Sequence, residues 1–366
     1  MPLLSIYGLQ NMQLLGAGLP NKDLSDPYDI TLTQLALLPR SCDFGCYLFD
    51  GRFSIVDGAM TWTHNYSHGF FSQVHLPLRW IRISDVSFCD VSSTDSCCVN
   101  QANPIWQTFI NNLCPLLKHY NRTIAGYDKK GVGDLVLIAG WGFNYEETEE
   151  LDFIDLSLRM GVLVPTSART KPERVFDIPL GYNGQWGIPM SVSFAVGAYD
   201  WLTIGTFLGV LPFAHITRTL SMKTDACQNG FIKLATGRAR INPGTIWQAS
   251  AYLKADHIIK GFSALFGYTF VNKNCDQITP CNNHLNLDPC SRTNAVFSTC
   301  VVGTDPQFQR WNMHTFHFMM EYDFTKPHHL VGPRVGVFFQ RQLGGKRVFA
   351  TNLFGGNIGL DVSCVF

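Results

Sequence analysis

The sequence predicts an all-β fold, a transmembrane antiparallel up-and-down β-barrel of about 12 strands with short periplasmic turns and long extracellular loops. Three observations indicate it: low charge, recurrent two-residue alternation of apolar and polar residues, and connections that alternate between short and long. Charged residues make up 15% of the 366 residues, against roughly 25% in typical soluble domains. No run of about 18 apolar residues exists that would predict a membrane-spanning helix.

The alternation is clearest in LDFIDLSLRMGV at 151–162. Ile154, Leu158 and Met160 fall on one side of a strand, whereas Asp155 and Arg159 fall on the other. A soluble sandwich would bury the apolar side, but the low charge of the chain favours apolar side chains that face lipid. The predicted strands are 43–50, 52–64, 70–84, 132–144, 151–164, 187–198, 202–214, 246–255, 258–272, 311–324, 329–341 and 349–366.

The connections between these strands fall into two classes. Short ones are predicted at 146–150, 198–200, 255–257 and 325–328, and long polar ones at 85–131, 165–186, 214–245 and 273–310. Antiparallel barrel strands with turns at one rim and loops at the other produce this order. A soluble, disulfide-rich β-sandwich remains the alternative fold class.

The chain divides into an N-terminal periplasmic or lumen segment, 1–42, and a barrel, 43–366. Within the barrel, apolar residues at helical spacing predict a loop helix near 104–120, which Pro115 should break or kink. This helix could lie on the rim, bury its own apolar face or plug the lumen. The first 18 residues lack Lys and Arg, so a secretory leader would lie upstream or have been removed.

Eight of the 12 cysteines form two groups in predicted loops. Cys275, Cys281, Cys290 and Cys300 lack the close pairs of zinc modules and lie in a stretch rich in Asn, Asp and Pro. We therefore expect disulfides in an oxidising compartment, without a defined connectivity. The candidates are Cys275, Cys281, Cys290, Cys300, Cys89, Cys97, Cys98 and Cys114.

Catalytic and metal-binding signatures are absent from the sequence. It contains no G-x-S-x-G, H-E-x-x-H or phosphate-binding loop. His314 and His317 would point to opposite faces of a strand and could not share a metal. We expect no enzyme activity, no cofactor and no metal. The formal net charge of zero, without a basic patch, argues against nucleic acid as a partner.

Polar residues opposite the apolar face would line the lumen. Pairing about the 325–328 turn places Arg334 opposite Met319 and within reach of both His317 and Glu321. Pairing about 146–150 places Arg159 diagonal to Asp134, so we predict cross-strand ion pairs at both places. Such pairs would either set the polarity of a pore or merely stiffen a plugged interior. The lumen-lining candidates are Asp134, Asp155, Arg159, Gln248, Lys254, His317, Glu321, Asp323, Arg334, Gln340 and Asp361.

The chain ends in alternating apolar residues, Ile358, Leu360, Val362 and Cys364, in phase with the final Phe366. This end resembles the C-terminal signature of Gram-negative outer-membrane barrels. The resemblance implies that Phe366 is an assembly signal read by the barrel-assembly machinery. It also implies localisation in the outer membrane of a Gram-negative bacterium.

A narrower resemblance lies at 131–167. There GVGDLVLIAGW and LSLRMGVLVPTS resemble the core motifs of an outer-membrane transporter family named after the phenol meta-cleavage degradation pathway. Gly131, Gly133 and Asp134 match the first motif, and the second matches up to Ser167, where the family usually has Gly. The resemblance implies a channel for small, often hydrophobic molecules and supplies no catalytic residues.

The expected function is therefore an outer-membrane channel or transporter for passive passage of small solutes. The alternative is a barrel whose disulfide-braced extracellular loops bind a partner or surface without transport. The expected partners are membrane lipid, the barrel-assembly machinery and a small-molecule solute.

Overall fold

The fold is all-β and antiparallel. The computed structural model describes residues 10–17, 19, 23–38, 46–90, 103–146, 151–228, 230–259, 261–281, 298–324, 331–348 and 352–362. The strands are β1 (Gln10–Asn11), β2 (Cys46–Asn65), β3 (Phe70–Asp90), β4 (Tyr127–Val132), β5 (Leu135–Tyr145), β6 (Phe153–Val164), β7 (Met190–Ala198), β8 (Leu202–Leu211), β9 (Ile216–Ser221), β10 (Thr236–Asn242), β11 (Ile246–Ile259), β12 (Phe262–Lys273), β13 (Gln277–Pro280), β14 (Trp311–Asp323), β15 (Val331–Lys346) and β16 (Asn352–Val362).

One large sheet has the order β1-β2-β3-β5-β6-β7-β8-β11-β12-β14-β15-β16. The first part of β3 pairs with β5, and the next part of β3 pairs with β4. The neighbours on this path are antiparallel, and consecutive ones are adjacent, so the predicted up-and-down arrangement is confirmed. We call this sheet from β2 to β16 the wall. A separate three-stranded sheet, β13-β10-β9, forms within the long connections.

The first predicted strand boundary is wrong. The predicted strands 43–50 and 52–64 form one strand, β2, because a bulge between Asp50 and Arg52 lets the pairing with β3 continue. The Asp50 carboxylate accepts the Gly51 backbone N–H at 2.6 Å in this bulge. The twelfth place in the sheet is taken instead by the two-residue strand β1.

Of the two predicted short connections that the structure describes in full, the one at 198–200 lies at its predicted position and the one at 255–257 does not. The predicted turn at 255–257 lies inside β11, which runs to Ile259 after a bulge, and the turn uses Gly261 at φ +81°. Between β7 and β8, Tyr199 and Asp200 both have φ near +60°, as a type I′ turn requires. The Asp152 carboxylate stabilises that turn by accepting the Asp200 N–H at 2.6 Å. Residues 147–150 and 325–330 lie outside the described residues.

The two faces of the wall differ as the alternation predicts. Large apolar side chains on one side, which we call the apolar face, are exposed: Leu158 by 47%, Phe266 by 46% and Val335 by 44%. The opposite side, the polar face, carries residues such as Ser157, Thr269 and Arg334. The apolar face is therefore not a dry core between packed sheets.

A conventional hydrophobic core lies elsewhere, in a unit we call the cap. It consists of the described parts of 10–38, 103–126, 165–186, 214–245, 276–281 and 298–308. Its helices are α1 (Pro27–Leu37), α2 (Pro104–Asn111), α3 (Leu113–His119) and α4 (Thr299–Gly303), and a 3₁₀ turn covers Pro306–Phe308. Its fully buried side chains include Leu32, Leu35, Trp106, Phe109, Leu113, Leu116, Met222, Ala239 and Val302, packed with Phe49, Ile81 and Ile83 from the ends of β2 and β3.

The predicted helix at 104–120 is two helices. The break lies at Asn112, which is the C-cap of α2 and the N-cap of α3. Pro115 sits in the first turn of α3, where its missing N–H costs nothing. The Asn103 side chain caps α2 by accepting the Ile105 N–H at 2.9 Å. Both helices bury their apolar faces in the cap core, as in one of the expected arrangements.

None of the helices within the described ranges has both the length and the apolar character required to cross a bilayer.

The structure does not support the disulfide expectation. The described thiols of Cys89, Cys114, Cys275, Cys281 and Cys300 are free and exposed, as is that of Cys227. The Sγ atoms of Cys89 and Cys275 approach oxygen atoms instead, at 3.6 and 3.7 Å. Cys97, Cys98 and Cys290 lie outside the described residues, and so does Phe366.

Candidate functional site

The polar face of the wall carries a continuous row of hydrogen bonds across β11, β12 and β14. Gln248 donates to Ser250 at 3.4 Å, and Ser250 and Thr269 share a bond of 2.8 Å. His317 Nε2 lies 2.9 Å from the Thr269 hydroxyl. The predicted lumen residues Gln248 and His317 are therefore brought together by small hydroxyl side chains that the sequence analysis did not single out.

The two histidines of β14 serve different faces. His317 bonds to Thr269 on the polar face, whereas His314 bonds to the Tyr268 hydroxyl at 2.6 Å and packs against Phe270 on the apolar face. The sequence-based expectation that they point apart is confirmed.

A second polar group forms near the short-turn end of β11. The Lys254 ammonium lies 2.6 Å from the Asp256 carboxylate. Asp256 also accepts the hydroxyls of Ser263 at 2.9 Å and Thr203 at 3.4 Å. Lys254 thus has a local partner on its own strand, and Asp256, absent from the predicted set, is the residue that joins three strands.

The predicted register of β14 and β15 is wrong by four residues. Arg334 pairs opposite Asp323, not Met319, which pairs with Phe338. The Arg334 guanidinium lies 3.3 Å from Asp323 and 4.0 Å from Glu321. The error arises because Asp323 pairs with Arg334, which centres the connection two residues later than the predicted turn.

The predicted ion pair between Arg159 and Asp134 is wrong. Arg159 pairs opposite Gly140, and its guanidinium carbon lies 5.6 Å from the centroid of the Phe71 ring, a cation–π contact. Its Nε donates to Ser157 at 3.3 Å. Arg159 remains on the polar face, but its partners are an aromatic ring and a hydroxyl.

Asp134 is buried, with 3% exposure, and therefore does not line a water-filled lumen as predicted. Its carboxylate accepts the backbone N–H of Ser167 at 3.0 Å and that of Tyr182. A side chain at Gly181 would lie 2.3 Å from this carboxylate. Asp134 therefore joins the strand to the 165–186 connection, and because it binds backbone N–H groups, this contact does not depend on the side chain at position 167.

The glycines before Asp134 serve the same junction. Gly133 donates to the Pro77 carbonyl at 2.7 Å, and its own carbonyl accepts the Thr166 hydroxyl at 2.7 Å. A Cβ at Gly133 would lie 2.5 Å from the Pro77 ring. The motif at 131–134 thus marks the point where β4 gives way to β5 and the cap joins the wall.

The other predicted lumen residues are spread along the polar face. Asp155 is half-buried and pairs opposite Asn144 and Ala195. Gln340 pairs opposite His317. Asp361 of β16 pairs opposite Gly332 of β15, and the side chain of Asp361 lies outside the described part of the structure.

Aromatic rings lie flat against glycines on the polar face. A Cβ at each of these glycines would meet the ring at about 2 Å: Gly140 under Phe71, Gly197 under Phe153 and Gly205 under Tyr252. The glycines therefore let rings lie along the wall. The sequence signal, a cross-strand Gly–aromatic pair, appears only once the register is known.

A cavity of about 390 Å³ opens beside the hydrogen-bonded row. The polar-face residues that line it are Ser250, Tyr252, Leu265, Thr269, His317, Met319, Phe338, Gln340 and Asn357. Hydroxyl, amide and imidazole groups share this space with aromatic and aliphatic ones.

One cluster of the described residues has the composition of a metal site. Ligand atoms of Asp26, Asp29 and His119 lie within 4.8 Å of one another. However, Asp26 accepts the Tyr28 N–H at 2.9 Å as the N-cap of α1, and Asp29 accepts the Asp23 N–H at 2.8 Å and the Tyr120 hydroxyl. This geometry is that of a helix N-terminus satisfying its backbone donors.

Buried charges hold the cap together. The Lys233 ammonium and the Asp305 carboxylate form an ion pair, with both side chains 1% exposed. Burial lowers the pKa of Lys233, and Asp305 opposes that shift. Arg122, 5% exposed, donates to the carbonyls of Lys233 and Leu234, both at 2.9 Å. Sequence analysis missed these residues because their partners lie far away in the chain.

No protein-family model matches the chain, and no curated protein matches it. Among solved structures, it is similar to the crystal structure of the COG4313 outer membrane channel from Pseudomonas putida F1, with 13% identity, a TM-score of 0.46, and coverage of 86% of this chain and 84% of that one. It is also similar to the NanC porin, with 9% identity, a TM-score of 0.34, and coverage of 87% and 99%.

Proposed function

We propose that the protein is an outer-membrane channel of a Gram-negative bacterium through which small solutes pass passively. The observation that carries the proposal is the exposed apolar face, which repeats over consecutive strands of the wall. Soluble monomers rarely expose contiguous apolar patches larger than a few hundred Å². A face of this composition would be stable against lipid.

The length of the strands also supports a membrane environment for the wall. β5 has 11 residues and β6 has 12, and a tilted strand needs about 9–11 to cross a bilayer. The charged side chains Asp155 and Arg159 of β6 both lie on the polar face, away from lipid. An Arg or Lys on the lipid face would cost about 2–4 kcal/mol near the midplane.

The polar face would then line the lumen. The Gln248–Ser250–Thr269–His317 row, the Lys254–Asp256 pair and the Arg334 cluster offer water-like contacts to a passing solute. Selectivity would come from the size and polarity of this lining. The proposal involves no catalysis and no cofactor. Lipid, the barrel-assembly machinery acting on Phe366, and the solute are its proposed partners.

The cap favours a second function. Its connections contain a packed core of their own, with Trp106 and Phe109 fully buried, which is more order than a passive loop needs. A cap that presents a fixed surface to a partner, on a barrel that does not conduct, is the competing proposal.

Conductance across planar lipid bilayers separates the two functions. The purified chain is first shown to be a folded barrel by heat-modifiable gel migration. The channel proposal expects discrete conductance steps. A folded barrel without steps, in the full-length chain and in a variant with a destabilised cap such as Leu116→Ala, would overturn it and leave the partner-binding function.

A further inference from the structure

A small, positively charged pocket lies inside the cap. It encloses about 200 Å³ between β9, the 165–186 connection and the 3₁₀ turn at Pro306–Phe308. Five cationic side chains and one carboxylate line it, so the formal charge of the lining is 5 − 1 = +4. These residues are Arg122, Lys171, Arg174, Arg218, Lys233 and Asp177.

The acidic side chains around the pocket have cationic partners of their own. Asp177 binds the Lys129 ammonium at 2.9 Å, Asp305 binds Lys233, and Asp276 binds Lys273. A fourth acid, Glu173, acts electrostatically on Arg122. The carboxylates therefore do not neutralise the remaining cations.

Four cations of the lining form no ion pair in the described part of the chain: Arg122, Lys171, Arg174 and Arg218. Glu173 acts on Arg122, and Asp276 on Arg218, only through longer-range electrostatics. The Arg174 guanidinium carbon lies 5.5 Å from the Tyr127 ring centroid, a cation–π contact and not an ion pair. Lys171 is exposed at the mouth. Positive charge without a direct ion-pair partner is thus concentrated in the lining of the pocket.

Arg218 is the most unusual of these residues. It lies on β9 opposite Ala239, on the side of the sheet that faces the cap core. Its Nε is shielded from solvent and has no hydrogen-bond partner in the described ranges. Burial lowers the pKa of Arg218 to about 10; Asp276 opposes this shift and the nearby Arg169 adds to it. The side chain is therefore cationic at neutral pH, and an unsatisfied buried donor costs stability.

We propose that this pocket binds an oxyanion group, a carboxylate or a phosphate, of a small solute, with Arg218 as its main ligand. An oxyanion would accept hydrogen bonds from Arg218 and Arg174 and would supply the missing negative charge. Since a water molecule occupies about 30 Å³ of liquid, the pocket has room for a group of several atoms and not for a large ligand. The site lies in the cap, so binding does not require that the channel conducts.

The test is isothermal titration calorimetry of the full chain in detergent at roughly physiological ionic strength. Inorganic phosphate and succinate are titrated separately, so that the two arms distinguish a phosphate from a carboxylate. Arg218→Gln removes the charge. Arg240→Gln is the matched control, because Arg240 lies on the neighbouring strand β10 with an exposed side chain on the opposite face of the same sheet.

Saturable binding of either anion, weakened at least about tenfold by Arg218→Gln and unchanged by Arg240→Gln, would support the site. Arg218→Lys, which keeps the charge but loses the planar fork, should retain weaker binding. Two results would overturn the proposal: wild-type protein that binds neither anion saturably, or equal weakening by Arg218→Gln and Arg240→Gln. The wild-type measurement stands even if a variant fails to show heat-modifiable migration.

Discussion

The wall and the cap place their apolar residues in opposite ways. In the wall, Leu158 and Met160 are 47% and 60% exposed, whereas in the cap Trp106, Phe109 and Leu116 are fully buried. The cap follows the usual rule of an apolar interior. The wall follows the rule of a protein whose solvent is lipid on one side. Under the proposed function, the apolar side chains of the wall face lipid, whereas those of the cap pack against one another.

The junction between the wall and the cap combines polar and apolar contacts. Asp134 holds backbone N–H groups of the 165–186 connection, and Arg79 donates to the Leu180 carbonyl at 2.9 Å. On the other side, Ile81 and Ile83 of β3 enter the cap core. One part of β3 therefore belongs to the wall, while another part of its polar face is covered by the cap.

The largest expected effect is a cavity in the cap. Leu116→Ala should destabilise the cap by about 2–5 kcal/mol, because Leu116 is fully buried. Hydrogen exchange of α2 and α3 measures it. Leu158→Ala is the matched control and should change exchange in these helices little. Equal effects of the two variants would mean that the cap and the wall do not differ as described.

The second-largest effect is expected from a charge introduced on the apolar face. Leu158→Arg should lower the free energy of unfolding in lipid vesicles by about 2–4 kcal/mol. Ser157→Arg, one residue away on the polar face, should cost far less. Urea titration followed by heat-modifiable migration measures both variants. A larger loss for Ser157→Arg would place the apolar face away from lipid.

The junction can be broken at its buried carboxylate. Asp134→Ala leaves the Ser167 and Tyr182 N–H groups without their acceptor, at a cost of about 1–3 kcal/mol. Limited proteolysis of the 165–186 connection should become faster. Asp128→Ala removes an exposed carboxylate, bonded to Trp80 at 2.8 Å, and should leave proteolysis there unchanged. If cleavage is the same in both variants, Asp134 does not hold the junction.

The smallest effect is expected on the polar face. Arg334 is 45% exposed in its pairs with Glu321 and Asp323, and such pairs contribute about 0.2–1 kcal/mol. Arg334→Gln should therefore hardly alter stability but should shift the ratio of cation to anion permeability toward cations in planar bilayers. An unchanged ratio would remove Arg334 from the conducting path.

The sequence predicts the wall well and the cap poorly, for a physical reason. Alternation is a local signal, and one side of each strand must match its solvent, so strands such as β6 can be recognised within a dozen residues. The cap core joins Leu32, Trp106 and Ile232, which no local period connects. Cysteine spacing and polarity predicted disulfides there, but a packed core holds these connections.

Register and partners are harder to predict than strands. The four-residue error at Arg334 came from an assumed turn centre, because alternation fixes the face of a side chain but not its neighbour. Asp134 was assigned the wrong role, since an acidic residue that binds backbone N–H groups looks the same in sequence as one that faces water. The sequence likewise does not reveal that Arg159 contacts the ring of Phe71 and not a carboxylate.

The central claim, that the apolar face of the wall contacts lipid, is tested most directly by photo-cross-linking in lipid vesicles. A benzoylphenylalanine side chain introduced at Leu158 or, separately, at Ser157 is irradiated, and adducts are identified by mass spectrometry. The account predicts lipid acyl-chain adducts from position 158 and none from position 157. Acyl-chain adducts from 157 alone, or only protein adducts from 158, would contradict it.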